Sequence, residues 1–257
     1  MFRLILSLAL LGLVALVLVG RFSGLRQGQA GAARPAEAAS SSAGPGSPRP
    51  GDAPSRGLDS VARLSARVQL ASETQRHYLD SLVLTTDSVV RHWPVTDTPI
   101  WFALISGGTP DFQPEMPTEV REALDAWRPL ALGLRLLETS DTAQATLMVE
   151  WTPSLPKRAG VTNVTWDQSG KILRARVTLA TRDPATGEPL DERGRRAVAL
   201  HEMGHALGLP HSADPADAMH PVTVADRPTD RDLTSMRLLY SLPIGWIGGG
   251  ERPPLRP

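Results

Sequence analysis

Cysteine is absent from this sequence of 257 residues. Disulfide bonds, thiolate metal ligands and a cysteine nucleophile are therefore excluded, and redox chemistry does not indicate the compartment. An excess of charge of either sign is also absent, because Lys and Arg together number 27 and Asp and Glu together number 27. Since there is no long basic run either, we expect no nucleic-acid partner.

The one long apolar run lies at the N-terminus, from Leu4 to Gly20, and it contains no charged residue. As a helix, these roughly 17 residues would measure about 25 Å, which is near the lower limit for crossing a bilayer and long for a signal peptide. The small residues Ala30-Gly31-Ala32 would suit a cleavage site, but they lie far beyond the run. We therefore predict a membrane anchor over residues 1–21, with a cleaved signal segment as the alternative.

The next two segments differ sharply in composition. Residues 22–57 are rich in Gly, Ala, Ser and Pro, which predicts a disordered linker. Over residues 58–93, apolar residues recur at steps of three and four, which predicts one long amphipathic stem helix. This helix either packs on its own domain or self-associates as a stalk, and the small Ala71 and the polar Gln75 favour the first option. His77 is interpreted as a surface or interface residue of the helix.

The middle of the chain predicts a mixed α+β domain over residues 95–243, followed by a flexible tail over residues 244–257. His92, which precedes the start of this predicted domain, is also interpreted as a surface or interface residue. Strands are predicted at PIWFALI, LRLLE, ATLMVEW and ILRARVTLAT, and the Pro/Gly-containing segment before the last strand is a predicted loop. ILRARVTLAT alternates apolar and polar residues, so we expect an exposed or edge strand. Helices are predicted at PTEVREALDAWRPL, DERGRRAVALHEMGHALGL and TDRDLTSMRLLYSLP, with N-caps at Thr118, Asp191 and Thr229.

Half of the six histidines of the chain lie in the stretch HEMGHALGLPH, residues 201–211. On a helix, His201 and His205 project from the same side one turn apart, and Glu202 flanks them. Gly208 allows the chain to leave the helix, so that His211 can return toward the same point. Three neutral imidazoles would leave one position of a zinc ion open, as catalysis requires. The alternative, that the helical histidines are only buried structural residues, leaves the other features of the stretch unexplained.

The pattern H-E-x-x-H-x-x-G-x-x-H resembles the signature of the metzincin zinc metalloproteases. A serine directly after the third histidine, here Ser212, resembles the pattern of the matrixin branch of that family. In ADAMHP, Met219 follows His211 by the spacing of the matrixin methionine turn. Further similar segments, in matching order, are EALDAWRPLALGLRL, ATLMVEW, ILRARVTLAT and DLTSMRLLY, so that the resemblance covers about residues 95–242.

This resemblance implies a zincin-like fold, in which a twisted mixed sheet with an antiparallel edge strand accompanies an active-site helix and a C-terminal helix. It also implies that His201, His205 and His211 bind one catalytic zinc ion, that Glu202 is the general base, and that Met219 forms an apolar floor beneath the metal. The implied activity is that of a zinc-dependent endopeptidase, which hydrolyses peptide bonds by means of a metal-activated water. A calcium site is compatible with the resemblance, but no residue of the sequence identifies one.

Other positions carry weaker expectations. Asp232 is implied to hold the methionine turn, and a role as a helix cap explains it equally well. Arg231 stands where many animal matrixins have an aspartate that pairs with a processed N-terminus, and the inhibitory prodomain cysteine is missing, so we do not expect activation by that route. A second, structural zinc is not expected, because residues 150–172 contain no histidine cluster. His220 is interpreted as a surface residue.

The expected substrate is a protein or peptide that adds as an antiparallel strand along ILRARVTLAT. The domain would lie outside the cytoplasm, anchored to the membrane, or secreted if the N-terminal segment is cleaved. The main alternative is a membrane-tethered interaction module that is catalytically silent. A third hypothesis is a zinc hydrolase of non-peptide amides.

Overall fold

The structure is a computed structural model that describes residues 53–72, 74–80, 88–96, 99–127 and 132–248. The predicted anchor over residues 1–21 lies outside the described residues, as does most of the predicted linker. None of the helices in the described part of the chain combines the length and the apolar composition that a bilayer crossing requires.

The described part of the chain contains both helices and strands. The helices are α1 (Ala53–Ala71), α2 (Met116–Trp127), α3 (Glu192–Ala206) and α4 (Asp230–Ser241). The strands are β1 (Val89–Val90), β2 (Ile100–Ile105), β3 (Leu136–Glu138), β4 (Leu147–Thr152), β5 (Gly160–Trp166), β6 (Ile172–Ala180) and β7 (Gly245–Trp246).

Five of the strands form one mixed sheet in the order β3-β2-β4-β6-β5. Strands β3, β2, β4 and β6 are parallel to one another, and β5 pairs antiparallel with β6 at the end of the sheet. The predicted α+β fold, with a mixed sheet, an antiparallel edge strand and accompanying helices, is therefore confirmed. The domain core contains Leu147, Val149 and Val177 of the sheet and Leu200 and Met203 of α3.

ILRARVTLAT was predicted to be an exposed or an edge strand, and the edge position was wrong. ILRARVTLAT corresponds to β6, which lies between β4 and β5, whereas the edge strand β5 comes from the segment predicted to be a loop. The polar side of β6 reflects an uncovered face of the sheet rather than an unpaired edge. On that face, Arg176 and Thr178 both donate hydrogen bonds to Glu150 of the neighbouring strand β4.

The prediction of a single stem helix over residues 58–93 was also wrong. Helix α1 begins at Ala53, inside the predicted linker, and ends at Ala71. Its apolar residues Ala66 and Leu70 are buried in the domain core, which agrees with a helix that packs on its own domain. Among the residues of α1 whose burial the structure describes, Val61, Leu64 and Val68 are exposed, and self-association through them stays a prediction.

The segment after α1 belongs to the core of the domain. Tyr78, Leu79, Val90 and Trp93 are all buried, so the core includes residues that precede the predicted domain start at 95. The periodicity of apolar residues does not predict the burial of these residues, because they do not lie on one face of a helix.

Two histidines of this region, each predicted to be a surface or interface residue, are buried, so a surface position is wrong for both. His77 is 2% exposed, and its two ring nitrogens lie 3.0 Å from Ser72 O and 3.2 Å from Leu79 N. His92 is 4% exposed and bridges the carbonyl oxygens of Trp93 and Leu242, at 2.7 and 3.1 Å.

Two smaller predictions also need correction. The tail predicted to be flexible from residue 244 contains β7, which pairs with β1, and the buried residue Ile247. Helix α2 begins at Met116, so Thr118 lies inside its first turn and is not its cap. The caps predicted at Asp191 and Thr229 are present.

Candidate metal centre

Helix α3 carries the first two histidines, and both of its ends are fixed by local interactions. At the start, the Asp191 side chain accepts a hydrogen bond from Gly194 N at 2.7 Å. At the end, Gly208 has φ of +105°, which is a left-handed conformation that favours glycine. A Cβ atom at Gly208 would also lie 2.8 Å from the carbonyl oxygen of Arg91. Glycine is therefore required for the chain to turn back toward the helix.

The turn brings His211 next to the two helical histidines. One ring nitrogen from each of His201, His205 and His211 lies within 4.8 Å of the other two, a spacing that could hold a metal ion. The Nε2 atoms of His201 and His205 are 3.1 Å apart. His201 is buried, His205 is half-buried, and His211 is exposed. The structure thus brings together all three of the predicted ligands.

Main-chain carbonyl groups fix the ring orientation of both helical histidines. His201 Nδ1 lies 2.8 Å from Ala218 O, and His205 Nδ1 lies 2.8 Å from Leu209 O. A carbonyl oxygen only accepts, so each Nδ1 carries the proton and each Nε2 presents a lone pair. Two facing lone pairs at 3.1 Å repel each other unless a cation lies between them. This donor set fits zinc, which accepts neutral imidazole nitrogen.

The surroundings keep all three imidazoles neutral. Burial, followed by the proximity of His201 and His211, lowers the pKa of His205 to about 3. Burial of the ring, together with His201, lowers the pKa of His211 to about 4, although part of the residue is exposed. The pKa of His201 is lowered as well, mainly by burial. Neutral imidazole is the form that binds a metal, so little proton release would oppose binding at neutral pH.

Glu202 faces the edge strand β5. Its Oε2 atom accepts a hydrogen bond of 2.5 Å from Thr162 Oγ1. A Cβ atom at Gly160 would overlap the Glu202 carboxylate, so glycine allows the strand to approach this closely. Burial raises the pKa of Glu202, while the hydrogen bond from Thr162 and the charge of Arg158 lower it in part.

The roles of Gly160 and Thr162 were missed by the sequence reasoning, because this segment was predicted to be a loop. The sequence does contain a pattern typical of a strand here, since GVTNVTW is rich in β-branched residues and precedes the turn residues DQSG. Strand, turn and strand in that order are typical of a β-hairpin, which β5 and β6 form.

The segment around Met219 packs against the other side of α3. Met219 is fully buried, and a Cβ atom at Gly204 would collide with its sulfur. Its carbonyl oxygen accepts a hydrogen bond from Ser212 N at 2.9 Å. The methionine turn is therefore held against the active-site helix and against the residue that follows His211.

Asp232 makes both of the contacts expected of it. Its Oδ2 atom accepts a 2.8 Å hydrogen bond from Ala218 N in the methionine turn. The same carboxylate completes the capping box of α4 with Thr229. Arg231, the residue that departs from the family pattern, lies 3.3 Å from the carboxylates of both Asp214 and Asp217.

His220 lies outside the histidine cluster. It is half-buried rather than fully on the surface, and its Nδ1 atom lies 3.0 Å from Val222 O and 3.2 Å from Val222 N. It is therefore a histidine outside the candidate ligand set, and it can serve as a control for substitutions of the ligands.

The arrangement of the sheet and the cluster formed by His201 and His205 of α3 with His211 are those expected of a zinc metallopeptidase of the metzincin class. The family model described as Matrixin matches residues 100–241, and the chain belongs to the matrixin family. The resemblance derived from the sequence is thereby confirmed. Among curated proteins, none matches this chain.

Proposed function

We propose that this matrixin is a zinc-dependent endopeptidase in which His201, His205 and His211 hold one zinc ion and Glu202 is the general base. The observation that carries the proposal is the convergence of three neutral imidazoles beside a buried carboxylate that faces the edge strand β5. Family membership supports the class of reaction, and the geometry supports the assignment of the individual residues.

Zinc, when bound, would supply Lewis-acid chemistry, because it lowers the pKa of water and polarises a carbonyl group. The protein's own contribution begins with the orientation of the ligands. The carbonyl groups of Ala218 and Leu209 hold the Nδ1–H groups of His201 and His205, so that the opposite nitrogens point at the same position. Ligands that are already oriented lose little freedom when the metal binds.

Glu202 moves the proton in the proposed reaction. It accepts a proton from the attacking water while the water oxygen bonds to the carbonyl carbon of the scissile peptide. It then donates that proton to the nitrogen of the leaving group as the C–N bond breaks, which yields a carboxylate and an amine. Burial raises the pKa of Glu202, and a raised pKa suits a carboxylate that must both accept and return a proton. The Thr162 hydroxyl orients the carboxylate during both transfers.

The edge strand β5 is the proposed site of substrate binding, in place of β6. Among the described residues, β5 pairs with a strand on one side only, so its other side offers free main-chain groups to an extended peptide. Gly160 and Thr162 place this strand against Glu202. A peptide added there would lie beside both the carboxylate and the histidine cluster.

A cleavage assay on the full chain tests the proposal. Glu202→Gln keeps the shape of the side chain but removes the base, so we expect one bound zinc per chain and loss of peptide cleavage. Wild-type protein that holds one zinc but cleaves no member of a diverse peptide library would support the silent interaction module instead. Cleavage of small amides without cleavage of peptides would support the non-peptide hydrolase. Wild-type protein that binds no zinc would refute both zinc hydrolases and leave the silent interaction module.

We also propose that the domain lies outside the cytoplasm, tethered by the apolar run from Leu4 to Gly20 or secreted after cleavage of that segment. Length and composition of the run support this location. Alkaline extraction of membranes, combined with protease treatment of intact cells, tests it. A full-length chain that stays protected inside the cytoplasm would contradict the proposal.

A further inference from the structure

Tyr78 connects the segment after α1 to the C-terminal helix α4. It lies before residues 100–241, the part of the chain that matches the family. Tyr78 is 3% exposed, and its hydroxyl donates a 2.8 Å hydrogen bond to Asp232 Oδ1, across 154 residues of sequence. Its main-chain N–H donates a second bond, of 3.2 Å, to Ser235 Oγ. The residue is therefore held at both ends against the start of α4.

The bond from Tyr78 is the first link of a continuous chain of hydrogen bonds. The other oxygen of Asp232, Oδ2, accepts from Ala218 N at 2.8 Å, and Ala218 O accepts from His201 Nδ1 at 2.8 Å. The chain thus runs from a phenol through a carboxylate and the main chain of Ala218, whose N–H and C=O belong to adjacent peptide groups, to an imidazole. Every group in it has its orientation fixed by the next.

We propose that Tyr78 is a positioning residue for the metal centre and acts on His201 through Asp232 and the main chain of Ala218. The inference rests on the proposed function of His201 as a zinc ligand. Ala218 N and Thr229 N both donate to Oδ2 of the fully buried Asp232, and Tyr78 supplies a donor to Oδ1. The phenol thereby fixes the rotation of the carboxylate about its bond to Cβ.

The Tyr78 hydroxyl remains a donor at every physiological pH. Burial, together with the charge of Asp232, raises the pKa of Tyr78 above its ordinary value of 10.0. If the phenol is removed, Oδ1 loses that donor in a buried site, where an unsatisfied polar group is costly. We expect the carboxylate to rotate or admit water, which loosens the main chain at Ala218 and, with it, the His201 ring.

The test compares Tyr78→Phe with Tyr240→Phe in the full-length chain. These are the two tyrosines of the sequence, and Tyr240 also donates a 2.8 Å hydrogen bond, to the carbonyl oxygen of Leu207. Both variants lose one hydroxyl and the hydrogen bond that it donates, but the bond donated by Tyr240 does not lead to Ala218 or His201. The two variants are therefore matched in chemistry and differ in their connection to the metal centre.

Three readouts are needed. Zinc affinity is measured by competition with a chelator, ligand geometry by the visible spectrum of the cobalt-substituted protein, and the Ala218 amide by hydrogen exchange in metal-free protein. Partners of metal ligands contribute about 10–100-fold to metal affinity, and we expect a loss of about tenfold in Tyr78→Phe. We also expect a changed cobalt spectrum and faster exchange at Ala218. Tyr240→Phe should leave all three readouts as in the wild type.

A purely structural role would give a different result. If Tyr78→Phe lowers the unfolding temperature but keeps wild-type zinc affinity and wild-type exchange at Ala218, Tyr78 only anchors its segment and the proposal is overturned. If this variant does not fold, 3-fluorotyrosine at position 78 keeps the shape and gives a stronger donor. Unchanged zinc affinity in that protein would also overturn the proposal.

The same experiment separates this inference from the proposed function. If wild-type protein binds no zinc, the proposed function fails, while hydrogen exchange at Ala218 in metal-free protein still tests the link to Tyr78. If wild-type protein binds zinc and cleaves peptides but Tyr78→Phe behaves identically, only the positioning role fails.

Discussion

Glu119 of α2 and Arg195 of α3 form a buried, multiply hydrogen-bonded ion pair, with 2.7 Å between Glu119 Oε1 and Arg195 Nη2. Their side chains are 5% and 11% exposed, and the pair joins α2 to the helix that carries His201 and His205. Because the charges are withdrawn from water, removal of one partner leaves the other uncompensated.

We therefore predict that Glu119→Ala lowers the free energy of unfolding by about 3–5 kcal/mol, as measured by urea denaturation. The control is Glu122→Ala, in the same helix, which breaks the pair of Glu122 with Arg196. Those side chains are 48% and 44% exposed, so the expected loss is at most about 1 kcal/mol. Equal losses in the two variants would show that burial does not determine the contribution of Glu119.

The histidine cluster gives a prediction about metal content. His211→Ala removes one of three candidate ligands, and we expect that the purified variant no longer retains stoichiometric zinc, since two imidazoles rarely complete a zinc site. His220→Ala is the control, because His220 lies near the cluster but outside it. Zinc is measured by atomic emission after gel filtration. Loss of zinc in His220→Ala alone would contradict the ligand assignment.

The sequence predicted the histidine cluster because the motif is local. A helical turn places His201 beside His205, and a glycine allows the return of the chain, so spacing alone is informative. The contacts of Glu202 with Gly160 and Thr162 are different, because they depend on how β5 pairs with β6. Pairing register and edge position come from the assembled sheet and not from one strand's pattern.

The same argument explains the errors before residue 95. Apolar residues recur at steps of three and four between positions 58 and 93. The helix that they predicted is present only as far as Ala71, the end of α1. Beyond Ala71, the buried residues Tyr78, Leu79, Val90 and Trp93 belong to the domain core, and their contacts include partners distant in sequence. An example is the hydrogen bond of 2.8 Å from Trp93 Nε1 to Ala206 O. A periodic pattern carries no information about such contacts, and the bond between Tyr78 and Asp232 could not be predicted for the same reason.

These contacts predict where a stable catalytic fragment must begin. A chain that starts at residue 95, near the start of the family match, lacks Tyr78, Leu79, Val90 and Trp93 of the core. Each large apolar side chain contributes about 1.5–3 kcal/mol when buried, and the combined loss is comparable to the roughly 5–15 kcal/mol that stabilises a typical domain. We expect this fragment not to unfold cooperatively on heating, as followed by near-UV circular dichroism.

The matched fragment starts at residue 53 and retains α1 and the segment after it. We expect it to unfold cooperatively, because it keeps every described residue of the core. Cooperative unfolding of both fragments at the same temperature would show that the segment before residue 95 does not stabilise the domain.

Thr162 and Glu202 provide a prediction about pH. The hydrogen bond from Thr162 Oγ1 lowers the pKa of Glu202 and so opposes the larger effect of burial, which raises it. Thr162→Val removes the hydroxyl, so the pKa of Glu202 must rise further. The general base acts only when deprotonated, and a higher pKa reduces its deprotonated fraction at any given acidic pH. We therefore predict that the acidic limb of kcat/KM against pH moves to higher pH in Thr162→Val.

Thr165→Val, on the same strand, is the control for this prediction, because Thr165 is exposed and lies away from Glu202 in the strand register. Its acidic limb should coincide with that of the wild type. A bound zinc ion would lower the pKa of Glu202 in all three proteins, so the difference between them keeps its sign. An acidic limb that is unchanged in Thr162→Val would mean that the deprotonation of another group limits the reaction, and Glu202 would lose its assignment as the base.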